Sequence, residues 1–374
     1  MATLRIGINA LYMIPGGVGG TEIYLRSLIA ALDRVHSPHE FLVYINAETE
    51  TTLEAPSARF KIIATGIRAV NRPRRLAWEQ LELPRRLRRD RIDVLFNPGF
   101  TSPWRSPCPT VTVFHDLQHK RHPEYFRWFD LPAWQAFLSI AGRRSTLILA
   151  VSEVTRQDVL SHYRLDPSRV RVVHHGVDTE FFGIRERRPA HTDERYILTV
   201  STLHPHKNFP RLLSAYAEFA GKRSGWNLVI AGLRGFDAGF VDQRIGELQL
   251  AGKVRSTGWI PREELYDLYA GAGAFVYPTT FEGFGMTLLE AMAAGLPVAC
   301  SDIEPLRTLA GNAALLFDPN KTEEIVNALV SITKDAELRR SLQEAGPVRA
   351  RNFSWQETAR LTLALLEEAA ASRR

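Results

Sequence analysis

Short β-branched and aromatic runs alternate with helix-length stretches along the whole chain, and this alternation limits the fold more than any other feature. Runs at 4–10, 41–45, 60–64, 94–97, 111–115, 147–151 and 170–173 read as strands in the first half. Runs at 196–200, 227–231, 254–257, 274–277, 298–301 and 314–317 do so in the second. Strands separated by helices imply parallel sheets covered on both faces, so the fold class is α/β. The 374 residues are enough for two domains of ordinary size, each with its own core. A polar, arginine-rich segment, 178–195, separates the halves and reads as a linker. From 321 onward the chain reads as helical, with Phe353-Ser354-Trp355 as an N-capped start of the last helix. The expected domains are therefore 1–180, 181–352 and a terminal helical segment 353–374.

The chain is 45% apolar and 24% charged, the balance of an ordinary globular protein. No run approaches the roughly 18 apolar residues of a membrane span, and the start enters a strand pattern without a signal-peptide core. The chain is expected in the cytoplasm. Cys108 and Cys300 are far apart in apolar or proline-rich surroundings and read as reduced structural thiols. The segment 68–91 holds nine arginines against Glu79, Glu82 and Asp90, an excess equal to the net charge of +6. Leu76, Trp78, Leu81, Leu83 and Leu87 interleave with those arginines. The segment reads as a solvated helix face or as a peripheral contact with the inner, anionic face of a membrane. Nucleic acid is not expected, because no binding motif accompanies the charge.

The most specific stretch is Thr280-Phe281-Glu282-Gly283-Phe284-Gly285-Met286-Thr287-Leu288-Leu289-Glu290, which follows the apolar run 274–277. It reads as strand end, glycine loop and helix start. Glycines let a ligand approach the backbone, and the amides of a helix start favour an anion. Glu282 before the helix and Glu290 within it can accept hydroxyl protons. The set suits a diphosphate with a sugar at each end. Gly295 then reads as a helix C-cap and 297–300 as the next strand.

This stretch resembles family 4 of the retaining glycosyltransferases. The resemblance implies the GT-B fold: two Rossmann-like domains with parallel sheets facing across a cleft, and a C-terminal helix crossing back to the first domain. It implies that Glu282 lies at the transferred sugar, that the amides of Phe284, Gly285, Met286 and Thr287 meet sugar hydroxyls and phosphate, and that Glu290 binds the ribose. Weaker matches are Val151-Ser152-Glu153, His174-His175-Gly176-Val177-Asp178 and Gly258-Trp259-Ile260-Pro261, so the resemblance runs from about residue 7 to 358.

Three further places carry candidate residues. Gly16, Gly17, Gly19 and Gly20 follow the first strand. They could be a structural turn or a dinucleotide loop, but the Gly-x-Gly-x-x-Gly spacing is missing, and the second strand ends Tyr44-Ile45-Asn46 without the acid that holds a ribose. The resemblance puts this loop beside the donor phosphates and the acceptor. His115 ends a strand, at the edge where open α/β sheets bind ligands. With Asp116, His119 and His122 it could be a metal set, although the spacing fits no zinc template. It could also be a structural histidine; the resemblance makes it a polar group at the donor sugar. Thr202, His204, His206 and Lys207 leave another strand. Family members commonly carry an arginine and a lysine on the diphosphate here. Lys207 matches the lysine, Thr202 stands in the arginine's place, and His204 or His206 could supply the missing donor. This arrangement resembles the mannosyltransferase-like subgroup.

The expected activity is retaining, metal-independent transfer of a hexose, mannose from GDP-mannose being favoured, to a glycan or lipid-linked acceptor. No cofactor is expected. Glu282, His115 and Lys207 are the expected catalytic residues. Epimerase or phosphorylase chemistry on the same scaffold, or sugar-nucleotide binding without turnover, remain open to the residues alone.

Overall fold

The computed structural model describes residues 3–187, 195–222 and 225–372. It divides into two compact units, Met1–Gly176 with Trp355–Arg374, and Val177–Ser354.

The first unit is built on a parallel sheet of seven strands: β1 (Arg5–Asn9), β2 (Glu40–Ile45), β3 (Phe60–Ala64), β4 (Val94–Asn97), β5 (Thr110–Phe114), β6 (Leu147–Ala150) and β7 (Val170–Val172). Their order is β3-β2-β1-β4-β5-β6-β7. Ile8 of β1 pairs with Val43 on one side and Phe96 on the other. The order therefore reverses between β1 and β4, and the loops after these strands diverge to leave a crevice at the sheet's C-terminal edge. Nearly every residue of β1, β4, β5 and β6 is buried, which explains why these strands read as continuous apolar runs.

Helix Gly20–Arg34 follows β1, with Tyr24, Leu25, Leu28, Ile29 and Leu32 inward at 3.6-residue spacing. It starts at Gly20 because Gly19, at φ 57°, takes the N-cap position. The last helix, Trp355–Ala371, packs in this unit. Trp355 meets Tyr24 at 5.9 Å, Thr358 Oγ1 donates to the His174 carbonyl at 2.8 Å, and Glu367 meets His39 at 2.8 Å.

The second unit carries six parallel strands: β8 (Tyr196–Val200), β9 (Asn227–Ala231), β10 (Val254–Gly258), β11 (Ala274–Tyr277), β12 (Val298–Ser301) and β13 (Leu315–Phe317). Their order is β10-β9-β8-β11-β12-β13, so this sheet reverses between β8 and β11. Helix Phe209–Lys222 buries Phe209, Leu212, Leu213, Tyr216 and Phe219 against β8, β9 and helix Thr322–Lys334.

The helical stretch from 321 is three helices, Thr322–Lys334, Ala336–Ala350 and Trp355–Ala371. Asp335 breaks the first two by capping the amides of Glu337 and Leu338. The linker reading of 178–195 is corrected by the fold. Thr179–Arg187 forms a 3₁₀ helix of the second unit, in which Phe181 and Ile184 are buried and Phe181 lies edge-on to Tyr266 and Tyr269. Two apolar residues three apart share one side of a 3₁₀ turn, a signal the surrounding arginines obscure. The rest of that segment, 188–194, lies outside the described residues. Among the described residues no helix is long and apolar enough to cross a membrane.

Candidate functional site

The crevice between β8 and β11 gathers most of the second half's candidate residues. The loop after β8 runs through Thr202 and His204 into a 3₁₀ turn, Pro205–Lys207, and Asn208 closes it at φ 59°. Asn208 Nδ2 donates to the carbonyls of Pro278 and Pro319 at 3.1 and 2.8 Å, which fixes this loop against the one after β11. The His206 carbonyl accepts from the Thr280 amide at 2.7 Å and from Thr279 Oγ1 at 3.0 Å.

Lys207 thereby reaches Glu282, with Nζ 2.5 Å from Oε1. Tyr277, the last residue of β11, completes a triangle: its hydroxyl donates to the same Glu282 oxygen at 2.6 Å and accepts from Lys207 Nζ at 3.1 Å. Burial opposes the lysine's charge, but Glu282 and Tyr277 outweigh it and hold the ammonium above its ordinary range. Burial, and then Glu282, push the Tyr277 phenol up, so it stays a neutral donor.

Gly285 is the N-cap of helix Met286–Ala293. It has φ 104°, no side chain caps the helix start, and a Cβ there would lie 2.5 Å from Leu306 Cδ2. Both the backbone angle and the packing therefore require glycine. The first-turn residues Met286 and Thr287 present helix-start amides whose dipole favours negative charge. Thr287 Oγ1 is buried within reach of the Tyr277 hydroxyl. Phe284 is buried edge-on to Phe353 at 6.0 Å, fixing the loop from below.

Glu290 lies one turn further along and is only 3% exposed. Its Oε1 accepts from Arg262 Nη1 at 3.0 Å and its Oε2 from the Tyr269 hydroxyl at 3.2 Å. Burial pushes its carboxyl up, against the pull of Arg262. Arg262 itself lies 4.9 Å from the Phe181 ring centre and 3.6 Å from Asp178, which also accepts from Tyr266 at 2.5 Å. Burial works against this guanidinium, but Glu290, Tyr266 and Asp178 hold it charged. Arg262 and Tyr277 are not among the residues singled out in the sequence. Tyr277 had a usable signal, as the residue closing the strand before the loop. Arg262 had none, because its acidic partners are 28 and 84 residues away in the chain.

Thr202 is half-buried at the β8 end, and its Cγ2 would lie 3.1 Å from a Cβ at Gly235. His204 stacks on His206 at 5.8 Å and lies 5.4 Å from Phe236. Burial, and then Lys207, lower its pKa, so His204 is a neutral hydrogen-bonding group and does not replace an arginine's charge. Trp259 is largely exposed after β10.

In the first unit, the crevice between β1 and β4 holds the other candidates. Gly16 and Gly19 have φ of 66° and 57°, and the Gly16 amide donates to Glu22 Oε2 at 2.8 Å. A Cβ at Gly17 would come within 2.8 Å of Ile14, and Gly20 opens the helix. His115 sits just after β5, buried against Tyr24 (4.9 Å) and Phe100 (5.1 Å). Its Nε2 lies 2.8 Å from the Pro98 carbonyl. Burial, only partly opposed by that bond, pushes it down to about 4. A neutral imidazole donating from Nε2 keeps Nδ1 as an acceptor. The neighbouring histidines go elsewhere: His119 faces the Tyr163 hydroxyl at 3.1 Å, and His122 pairs with Glu124. Among the described residues no three His, Cys, Asp or Glu side chains are grouped to hold a metal ion.

The segment 68–91 differs from its sequence reading. Helix Arg72–Arg89 buries Arg75, Glu79, Leu83, Pro84 and Leu87, while Leu81 is exposed. Two charged residues thus occupy the inward face, and their burial was not legible from the apolar spacing. Glu79 Oε2 accepts from Thr101 Oγ1 at 2.8 Å and from Asn9 Nδ2 at 3.2 Å.

Comparison with known proteins agrees with this arrangement. A family model described as Glycosyltransferase Family 4 matches residues 18–181, and one described as Glycosyl transferases group 1 matches 181–349. The O-antigen chain mannosyltransferase B of Escherichia coli is 30% identical over 303 residues, covering 78% of this chain and 76% of that protein. The MMP alpha-(1->4)-mannosyltransferase of Mycolicibacterium hassiacum is 30% identical over 273 residues, covering 70% of this chain but 65% of its own length. Sucrose-phosphate synthase from Thermosynechococcus elongatus superposes with TM-score 0.79 at 18% identity, over 99% of this chain and all of that one. Two Rossmann-like units, the acidic glycine loop and these matches together place the chain in glycosyltransferase family 4, as a glycosyltransferase of the GT-B fold.

Proposed function

We propose that the protein transfers mannose from GDP-mannose to a glycan or lipid-linked acceptor, with retention at the anomeric carbon and without a metal ion. The observation that carries this reading is the buried Lys207–Glu282–Tyr277 triangle beside the uncapped start of helix Met286–Ala293. It combines a fixed cation, a carboxylate and helix-start amides at a sheet's switch point, the parts needed for a sugar joined to a diphosphate. The mannosyl assignment draws on the two mannosyltransferases among the sequence relatives.

In this reading Lys207 and the amides from Phe284 to Thr287 stabilise the departing diphosphate while an oxocarbenium-like sugar forms. Glu282 orients the sugar and stabilises its developing positive charge. Its Oε1 is already held by Lys207 and Tyr277, so the carboxylate is pre-aimed and Oε2 serves the sugar. The acceptor hydroxyl attacks from the face the diphosphate leaves, and a departing phosphate oxygen takes its proton. Glu290 receives the ribose hydroxyls: each carboxylate oxygen has a second lone-pair site beyond those given to Arg262 and Tyr269. Thr202 and His204 add neutral hydrogen bonds to the diphosphate, and the charge rests on Lys207. His115 and the loop with Gly16, Gly17, Gly19 and Gly20 are assigned to the donor sugar and phosphates.

A thermal-shift series with GDP, UDP, ADP and their sugars, in excess EDTA, tests the donor assignment. A ligand bound only by the folded state raises the melting point by mass action. The reading expects the largest rise with GDP and GDP-mannose. A larger rise with UDP-sugars overturns the mannosyl assignment, and a rise that needs added magnesium or manganese overturns metal independence.

A further inference from the structure

Arg75 is 5% exposed, and its buried Nε has no hydrogen-bond partner among the described residues. Among the described residues it forms no ion pair, although Glu79 lies one helical turn away and within electrostatic reach. Glu79 is occupied elsewhere: Thr101, Asn9 and Gln80 all donate to it. Glu79 offsets part of the Arg75 charge but gives it no hydrogen bond, and a buried guanidinium left without one calls for a further acceptor.

Its place says what that partner is. Arg75 is in the first turn of the helix that follows β3, and therefore at the C-terminal edge of the sheet. Helical side chains lean toward the helix N-terminus, which carries the guanidinium to the loops at that edge. Within electrostatic reach are Arg72, a second cation, and Tyr12. The Tyr12 hydroxyl donates to the Thr21 carbonyl at 3.1 Å, in the first turn of helix Gly20–Arg34, whose start no side chain caps. The nearby acid Glu22 is occupied by the Gly16 amide and Arg26. Arg75, with the exposed Arg72 near it over the Trp134 ring at 5.3 Å, suits a doubly charged oxyanion better than a single carboxylate.

We propose that Arg75 is the anion-binding residue of the acceptor site and that the acceptor carries a phosphate group. This rests on the glycosyltransferase reading above and names the acceptor's chemical class. The phosphate belongs either to a soluble sugar phosphate or to a lipid-linked glycan.

The test is calorimetry on the full chain with inorganic phosphate, after saturating GDP has filled the donor diphosphate site. Parent protein should bind phosphate, and Arg75→Gln should bind it roughly tenfold or more weakly, the low end of the effect of losing a charged hydrogen bond. Arg75→Lys should restore part of the affinity. Mannose 6-phosphate against mannose, and phosphatidylglycerol vesicles against phosphatidylcholine vesicles, then distinguish the two sources: the arm that depends on Arg75 names the phosphate's carrier. Equal phosphate affinity in parent and Arg75→Gln overturns the inference, as does a parent that binds no phosphate. Arg75→Met separates a ligand site from a structural role. Because Arg75 also offsets the buried Glu79, the comparison is made in a Glu79→Gln background, where Arg75→Met should leave the unliganded melting point unchanged or raised; a fall of several degrees there assigns Arg75 to the fold and overturns the inference. Failure of the parent to bind GDP strikes the donor reading, and Arg75 is then judged by phosphate alone.

Discussion

Lys207 and Glu282 are 75 residues apart in sequence and share one hydrogen-bonded triangle, so neither acts alone. Lys207→Ala should weaken GDP binding by about 1.5–3 kcal/mol, the range for a hydrogen bond to a charged group. Because the lysine also compensates Glu282, the loss should fall short of additive when combined with Glu282→Gln, with a coupling on the order of 1–2 kcal/mol. Strict additivity by calorimetry would separate the two residues. Glu282→Gln by itself should lower turnover far more than GDP affinity, and Glu290→Gln should chiefly weaken GDP binding; equal affinity losses in both would contradict their assignment to opposite ends of the donor. Glu282, Glu290 and Lys207 were legible because loop glycines and strand ends mark them in the sequence. Tyr277 carried a strand-end signal that the sequence reading left unused, and Arg262 carried none, since a surface-like arginine acquires its role only through contacts made by the fold. Arg75 was hidden for the same reason, as one arginine among nine.

At the level of single elements, helix Arg72–Arg89 presents a basic outer face whose charge is partly used. Arg85 pairs with Glu82, and Arg89 with Asp90. Arginine near an anionic bilayer contributes on the order of 1 kcal/mol each, so neutralising Arg85, Arg86, Arg88 and Arg89 should remove nearer to about 2 than 4 kcal/mol of membrane binding. Co-sedimentation with anionic and neutral vesicles at low and high salt measures this. Parent protein left in the supernatant with anionic vesicles at low salt would make the helix a solvated face. The histidines around β5 give a second prediction. His115 and His119 are both pushed down to about 4, chiefly by burial. Between about 4 and 6.5 the unfolded chain binds protons there that the folded chain does not, so their stabilisation is complete above pH 6.5 and lost as pH falls through that window. Each contributes a slope of up to about 1.4 kcal/mol per pH unit. The buried Glu79 and Glu290 carboxyls, pushed up, act with the opposite sign. Denaturant unfolding at pH 5 and 7 should therefore show a shallower pH dependence in His119→Gln than in the parent. Identical slopes would mean that His119 titrates normally in the folded chain.

Over the whole molecule, the α/β class and the strands of both sheets were legible because doubly buried parallel strands leave continuous apolar runs. The order of strands was not, because switch points are set by which crossover goes which way and not by any local residue pattern. The linker reading failed at Phe181 and Ile184, where two buried side chains in a basic stretch outweigh its polar composition. The central claim joins the site to a reaction: a nucleotide sugar held by protein groups alone gives up its sugar with retention. The most direct measurement is ¹³C NMR of GDP-mannose labelled at the anomeric carbon, incubated with the protein and mannose oligosaccharides in excess EDTA. The account predicts release of GDP together with a new α-configured mannosyl product. A β-configured product, or no transfer until magnesium or manganese is restored, would contradict it.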